Sequence, residues 1–173
     1  MVTIRPETPA DQAATHHVNT AAFGRPAEAD LVDTLRRQDA LTLSLVAEQD
    51  GQVVGHIAFS PVRITGDQDS FEALALGPMA VLPAQQGQGT GSQLVRSALA
   101  ALKEKGATIV FVLGHRTYYP RFGFEPAQRY GIGCEFDVPP EFFMVCALRE
   151  GVLQESQIGE HSIVYYQPAF RNV

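Results

Sequence analysis

The stretch from Gly77 to Leu94 constrains this chain more than any other. It reads Gly-Pro-Met-Ala-Val-Leu-Pro-Ala-Gln-Gln-Gly-Gln-Gly-Thr-Gly-Ser-Gln-Leu. An apolar, strand-like run ends at Pro83, a loop holding Gly87, Gly89 and Gly91 follows, and a helical pattern starts at once. Glycine lacks a Cβ, so backbone N–H groups around it can approach a ligand closely. The first turn of a helix adds N–H donors with no intrahelical partner and a partial positive charge. Strand, glycine loop and helix start in direct succession therefore form a cradle for an anion, in practice a phosphate.

The surroundings read as an α/β chain. The 173 residues predict one domain spanning 1–173, long enough for a real core. Val2 to Arg5 alternates like a short strand. Thr8-Pro9-Ala10-Asp11 reads as a helix start, with Thr8 as N-cap and Pro9 in the first turn. Ala14, Val18, Ala21 and Ala22 predict the buried face of that helix, and Gly24 its end. Pro26 opens a second helix with Leu31, Val32 and Leu35 on one side. Leu41–Ala47 and Val53–Ile64 read as strands joined by a hairpin at Asp50-Gly51. Phe71–Val81 is a third strand. Its Pro78 cannot complete a ladder, so a bulge or divergence is expected there. Thr90–Lys105 is an amphipathic helix stopped by Gly106, and Ala107–Leu113 is a continuous apolar strand. Strand, helix and strand from Phe71 to Leu113 predict a parallel βαβ crossover. Phe142–Leu148 and His161–Tyr166 are further strands.

Which phosphate-bearing ligand suits the loop is decided by spacing. A P-loop requires a lysine after its last glycine, and none is present. A dinucleotide fingerprint requires GxGxxG and an acidic residue closing the next strand, whereas here that strand ends Leu113-Gly114-His115. The pattern Gln86-x-x-Gly89-x-Gly91 after a strand ending Val81-x-Pro83 instead resembles the signature motif of the GCN5-related N-acetyltransferases. The later sequence Tyr119-x-x-x-Gly123-Phe124, following a strand, resembles the second part of that family's pattern. The likeness is strongest from Leu76 to Phe124 and only general beyond Tyr130.

The resemblance implies a mixed, mostly antiparallel twisted sheet of about seven strands with flanking helices and splayed central strands. It implies acetyl-CoA as co-substrate and transfer of its acetyl group to a primary amine by direct attack in a ternary complex. Carried onto this chain, Gly87, Gln88, Gly89, Thr90, Gly91 and Ser92 cradle the CoA pyrophosphate through main-chain amides. The main chain of Met79, Ala80 and Val81 pairs with pantetheine. Tyr119 matches the general acid that protonates the leaving thiolate, with Tyr118 as the neighbouring phenol. The base is left open: Glu72 at the start of the third strand is the first candidate, His56 titrates near neutrality, and Glu28 lies in the second helix.

Other features bound partners and setting. The net charge is −6 with no basic stripe, which argues against nucleic acid. Cys134 and Cys146 have no CxxC spacing, suit a reducing compartment and give no metal signature. Neither suggests a nucleophile. The start of the chain has no signal-peptide core and no run of 18 apolar residues occurs, so a cytoplasmic protein without membrane contact is expected. The resemblance implies a small-molecule or peptide amine as acceptor, and a monomer or homodimer is expected. The alternative reading is a non-catalytic acyl-CoA sensor or regulatory module.

Overall fold

The computed structural model describes residues 1–65, 73–155, 158 and 161–173. In chain order the main elements are β1 (Thr3–Pro6), α1 (Gln12–Phe23), α2 (Ala27–Arg37), β2 (Leu43–Gln49), β3 (Gln52–Pro61), β4 (Arg63–Ile64) and β5 (Ala73–Val81). There follow α3 (Thr90–Glu104), β6 (Ile109–Leu113), β7 (Glu125–Pro126), β8 (Ile132–Cys134), β9 (Phe143–Ala147), the short α4 (Val152–Glu155) and β10 (Ser162–Tyr165). Seven strands form a mixed, mostly antiparallel sheet in the order β1-β2-β3-β5-β6-β9-β7, and β4-β10-β8 make a second sheet. Of this smaller sheet the sequence pattern placed β10, as His161–Tyr166, but not β8 or a separate β4, which are only three and two residues long.

The chain divides into two compact units: Met1–Ser60, Gly77–Ala101 and Gln167–Val173 in one, Pro61–Leu76 and Leu102–Tyr166 in the other. In the first unit the chain enters α1 through a turn fixed by polar contacts. The Thr8 amide and hydroxyl both donate to Asp11 Oδ2, at 2.7 and 2.8 Å, and Arg5 holds the same carboxylate from the other side. Gly24 closes α1 at φ 69°, the left-handed conformation that a helix stop favours. Asp50 and Gly51 both take positive φ (51° and 77°), as a two-residue hairpin with the strands' own twist requires.

Two sequence expectations need correction here. The return strand does not run to Ile64. It stops at Pro61, after which the Val62 amide still donates to the Ala73 carbonyl at 3.1 Å, and Arg63–Ile64 pairs with β10 instead. The buried face of α1 is not the alanine stripe: Thr15, Val18 and Asn19 are buried, while Ala14, Ala21 and Ala22 are half-buried. Asn19 is inside with its Nδ2 bonded to the Thr15 carbonyl and to His56, while the Thr15 hydroxyl and Asn19 Oδ1 are buried without a hydrogen-bond partner among the described residues.

The βαβ crossover is present as expected. β5 pairs with β6 in parallel from Ala73↔Ile109 to Leu76↔Val112, and the pairing ends there, immediately before Gly77. The rest of β5 remains beside β3, with the Leu82 amide donating to the Val54 carbonyl at 2.9 Å. α3 lies close over β3. A Cβ on Gly55 would stand 3.1 Å from Leu94 Cδ1 and 3.2 Å from the Ala47 methyl, so this strand position holds glycine to let the helix down. Leu94, Val95, Ala98 and Leu102 form the buried stripe that fixes α3, and with it the loop in front.

Candidate functional site

The glycine loop leaves β5 at Val81, makes a single 3-10 turn over Pro83–Gln85 and enters α3 at Thr90. Gly87 (φ 75°) and Gly89 (φ 87°) adopt conformations costly to any residue with a side chain. Nothing lies within 4 Å of where their Cβ atoms would be, so backbone conformation and not crowding requires glycine. Gly91 differs from the other two: it is already in the first turn of the helix and needs no special φ. The loop from Pro83 to Gly89 is exposed apart from half-buried Gln85. The Gln93 amide donates to the Gly89 carbonyl at 3.0 Å, the first bond of the helix. The amides before it are the ones a helix start leaves for a ligand. Two glutamines brace the turn from outside: Gln86 Nε2 donates to the Val81 carbonyl at 2.9 Å, and Gln88 Nε2 to the Ala84 carbonyl at 3.3 Å.

Ahead of the loop, Met79 and Val81 are half-buried and Ala80 is buried. Gly77 precedes Pro78 at φ 153° through a cis peptide bond. The edge of the Phe170 ring stands 3.7 Å from where a Gly77 Cβ would be.

The second motif lies in the other unit. After β6 the chain makes a turn in which the His115 carbonyl accepts from the amides of Tyr118 and Tyr119. Tyr119 is 7% exposed. Its ring is edge-on to Tyr118, Phe122 and Phe124, with centroids 5.1 to 6.5 Å away. Gly114 is the seat of that ring. A Cβ there would lie 2.2 Å from Tyr119 Cε2, an impossible approach, so the glycine is required by contact. Burial, with Tyr118 adding to it, pushes the Tyr119 phenol well above its ordinary value. It is therefore a protonated hydrogen-bond donor at neutral pH. Arg121 stacks over the Tyr118 ring at 4.7 Å, while His115 and Arg116 are exposed.

The three base candidates separate sharply. Glu72 lies outside the described residues. Glu28 is buried on α2 with its carboxylate held by Arg25, whose Nε is 3.1 and 3.2 Å from the two oxygens. His56 is fully buried, and both ring nitrogens are engaged. Asn19 Nδ2 donates to the Thr15 carbonyl and to His56 Nδ1, each at 3.0 Å. Ser44 Oγ donates to Glu7 Oε2 at 2.6 Å, so its oxygen accepts from His56 Nε2 at 2.8 Å. That arrangement assigns the neutral Nε2–H tautomer. Burial lowers the His56 pKa to about 4, against the pull of Glu7. Burial alone would raise the Glu7 carboxyl, but the hydrogen bonds from Ser44 and Arg36 outweigh it and hold it below its usual range. Arg36 continues the chain to Asp33 at 2.7 Å, and Asp33 meets His16 Nδ1 at 2.9 Å. His56 is thus neutral, enclosed and saturated, and it cannot act as a general base.

The two thiols are equally unsuited to nucleophilic work. Burial raises Cys146 to about 11 and also raises Cys134, so neither is a thiolate at neutral pH. His16, Asp30 and Asp33 bring ligating atoms within 4.8 Å of one another. The Arg36 guanidinium on Asp33 opposes a cation at that position.

Residues 3–127 match the family described as "Acetyltransferase (GNAT) domain". Among curated proteins the chain is 42% identical over 134 residues to the uncharacterized N-acetyltransferase YjhQ of Escherichia coli K12, covering 76% of this chain and 74% of that one. It is 37% identical over 168 residues to the uncharacterized N-acetyltransferase YhbS of the same organism, covering 96% and 97%. Among solved structures, E. coli YhbS in complex with CoA superposes with a TM-score of 0.91 at 36% identity, over 98% of this chain and 92% of that one. A GNAT family acetyltransferase of Brucella melitensis in complex with acetyl-CoA gives 0.79 at 40% identity, over 98% of both chains. With its glycine loop, its sheet order and its sequence matched over most of its length, the chain belongs to the GNAT family of acetyltransferases.

Proposed function

We propose that this protein is an acetyl-CoA-dependent N-acetyltransferase that moves the acetyl group to a primary amine of a small molecule or peptide, by direct attack. The observation that carries the reading is the glycine loop: exposed, turned by Gly87 and Gly89 at positive φ, and opening directly into α3. The CoA and acetyl-CoA complexes of the two similar structures support the choice of donor.

In this reading the amides from Gln88 to Ser92, with Gly87 shaping the turn, hold the pyrophosphate without a lysine, since main-chain dipoles and the helix start supply the charge. The main chain of Met79, Ala80 and Val81 guides the pantetheine arm, and an N–H there polarises the thioester carbonyl. The amine nitrogen attacks that carbonyl, a C–N bond forms, and the C–S bond then breaks. Tyr119 donates its phenolic proton to the departing sulfur, and the cationic nitrogen of the adduct returns a proton to the tyrosinate. Net, an amine and acetyl-CoA become an amide and CoA thiol. Because burial holds the phenol well above its ordinary value and a thiol titrates near 8.5, its hydrogen bond to the sulfur matters as much as the transfer itself. Glu72 is the proposed acceptor of the ammonium proton before attack.

The test is release of free CoA thiol from acetyl-CoA against a panel of primary amines, with Tyr119→Phe in parallel. Wild type should release thiol with some amines, and the variant should turn over about 10²–10⁴-fold more slowly while binding acetyl-CoA normally. Equal turnover removes Tyr119 from the mechanism. Saturable acetyl-CoA binding with no thiol release across the panel would favour a sensor over an enzyme.

A further inference from the structure

The last 3-10 turn of the chain, Pro168–Asn172, lies in the same unit as the second half of β5 and the glycine loop. Phe170 is anchored there. Its amide donates to the Gln167 carbonyl at 3.0 Å. Its ring packs on a cluster of Leu31, Leu35, Ala40 and Ala169, with Leu41 alongside. The edge of the ring reaches β5 at Gly77, where Cε1 is 3.7 Å from the position of a Cβ. Gly77 carries no side chain and sits at φ 153°, so the aromatic edge covers the place where another strand residue would project its own.

The order of residues along β5 gives that contact a consequence, which rests on the proposed function. If the pyrophosphate lies at Gln88–Ser92, a pantetheine arm running back along the strand passes Val81 before Met79. Its thioester then lies toward Gly77, and the acyl chain is carried to the Phe170 ring. We propose that Phe170 is a specificity-determining residue that limits the donor to acetyl-CoA by walling off the space a longer acyl chain would occupy. The wall is firm because α2 and the segment after it support the ring from behind, and a close-packed interior gives way poorly to an added methylene.

One extra methylene in an apolar pocket is discriminated by about 10–200-fold in kcat/KM. Wild type should therefore lose at least about 10-fold from acetyl-CoA to propionyl-CoA, and more to butyryl-CoA, with one amine acceptor throughout. Phe170→Ala should raise the ratio of butyryl-CoA to acetyl-CoA kcat/KM by about 10-fold or more, and Phe170→Leu by less. Phe170→Leu keeps an apolar side chain on the cluster, so it carries the comparison if the alanine variant does not melt cooperatively. A wild type that uses butyryl-CoA as well as acetyl-CoA overturns the inference without any variant. So does an unchanged ratio in a folded variant. Failure of wild type to release thiol from acetyl-CoA at all would instead remove the underlying reading, so the two failures are distinguishable.

Discussion

Two regions of the first unit invite opposite readings by residue type, and both invitations mislead. Around His56 lie a serine, a histidine and a glutamate in hydrogen-bond contact, with an arginine behind them. By composition this is a catalytic set. Around Gly89 lie glycine, glutamine, threonine and serine, none of them a strong acid, base or nucleophile. Yet in the first region the histidine is fully buried with both ring nitrogens bonded, whereas the second is open to solvent and built of main-chain donors. Chemistry needs a group that a substrate can reach and that still has capacity to bond. Burial and saturation deny that to His56, and the start of α3 offers it through the backbone.

The contrast can be broken most forcefully at Glu7. Removing Glu7 takes the acceptor from Ser44 Oγ and one of the two carboxylates from Arg36, which keeps Asp33, a loss of about 1.5–3 kcal/mol for hydrogen bonds to a charged group. Glu7→Ala should therefore unfold the protein at markedly lower denaturant, while the folded fraction retains its acetyl-CoA affinity. A variant of full stability would show that the network is not a structural element. At the loop the balance should invert. A Cβ at Gly89 would meet nothing within 4 Å, so the stability cost of Gly89→Val falls chiefly on the positive φ, about 1–2 kcal/mol. Its acetyl-CoA dissociation constant should rise about 10–100-fold, the worth of one amide hydrogen bond to a charged group. Calorimetric titration of that variant separates the two effects, and unchanged affinity would argue against the cradle.

A pH series sharpens the same comparison. His56 is about 4 in the folded chain against 6.5 unfolded, so the unfolded state binds the extra proton between those values. Its stabilising influence is fully present above pH 6.5 and is lost as pH falls toward 4, with a slope approaching 1.4 kcal/mol per pH unit. Glu7 and Asp11 are held below their usual values by their hydrogen bonds, so their contributions are lost only at lower pH. Urea melts at pH 7 and 5 should differ by about 2 kcal/mol in wild type and by much less in His56→Gln. Equal differences in the two proteins would contradict the buried neutral assignment. The smallest effect is expected at Gln86. Losing its bond to the Val81 carbonyl should weaken acetyl-CoA binding by no more than about 10-fold, the net worth of one neutral hydrogen bond.

What was legible in the sequence follows the range of the interactions involved. The hairpin at Asp50-Gly51, the stop at Gly24, the start at Thr8 and the βαβ unit are each specified by a few adjacent residues, and they form where the pattern places them. The glycine loop was legible for the same reason, except that Gly91 proved to be an ordinary helical residue. The α1 face was misread in part because buried Asn19 is explained only by a partner far along the chain. Asn19 and His56 are 37 residues apart, as are Glu7 and Ser44. Gly114 was passed over although Tyr119, five residues later, was singled out, because nothing local says that the ring folds back onto it.

The sequence by itself determined the order of the elements, the conformation of the tight turns and the exposed glycine loop that opens into α3. Those depend on φ, on side-chain period and on unpartnered helix amides, all set by neighbouring residues. Only the tertiary structure decided that His56 is buried with both ring nitrogens bonded, that Gly55 and Gly114 hold open the space for Leu94 and Tyr119, and that the Phe170 ring ends up against Gly77. Each depends on burial and on contacts between segments far apart in the chain, and these have no signature until the chain has folded.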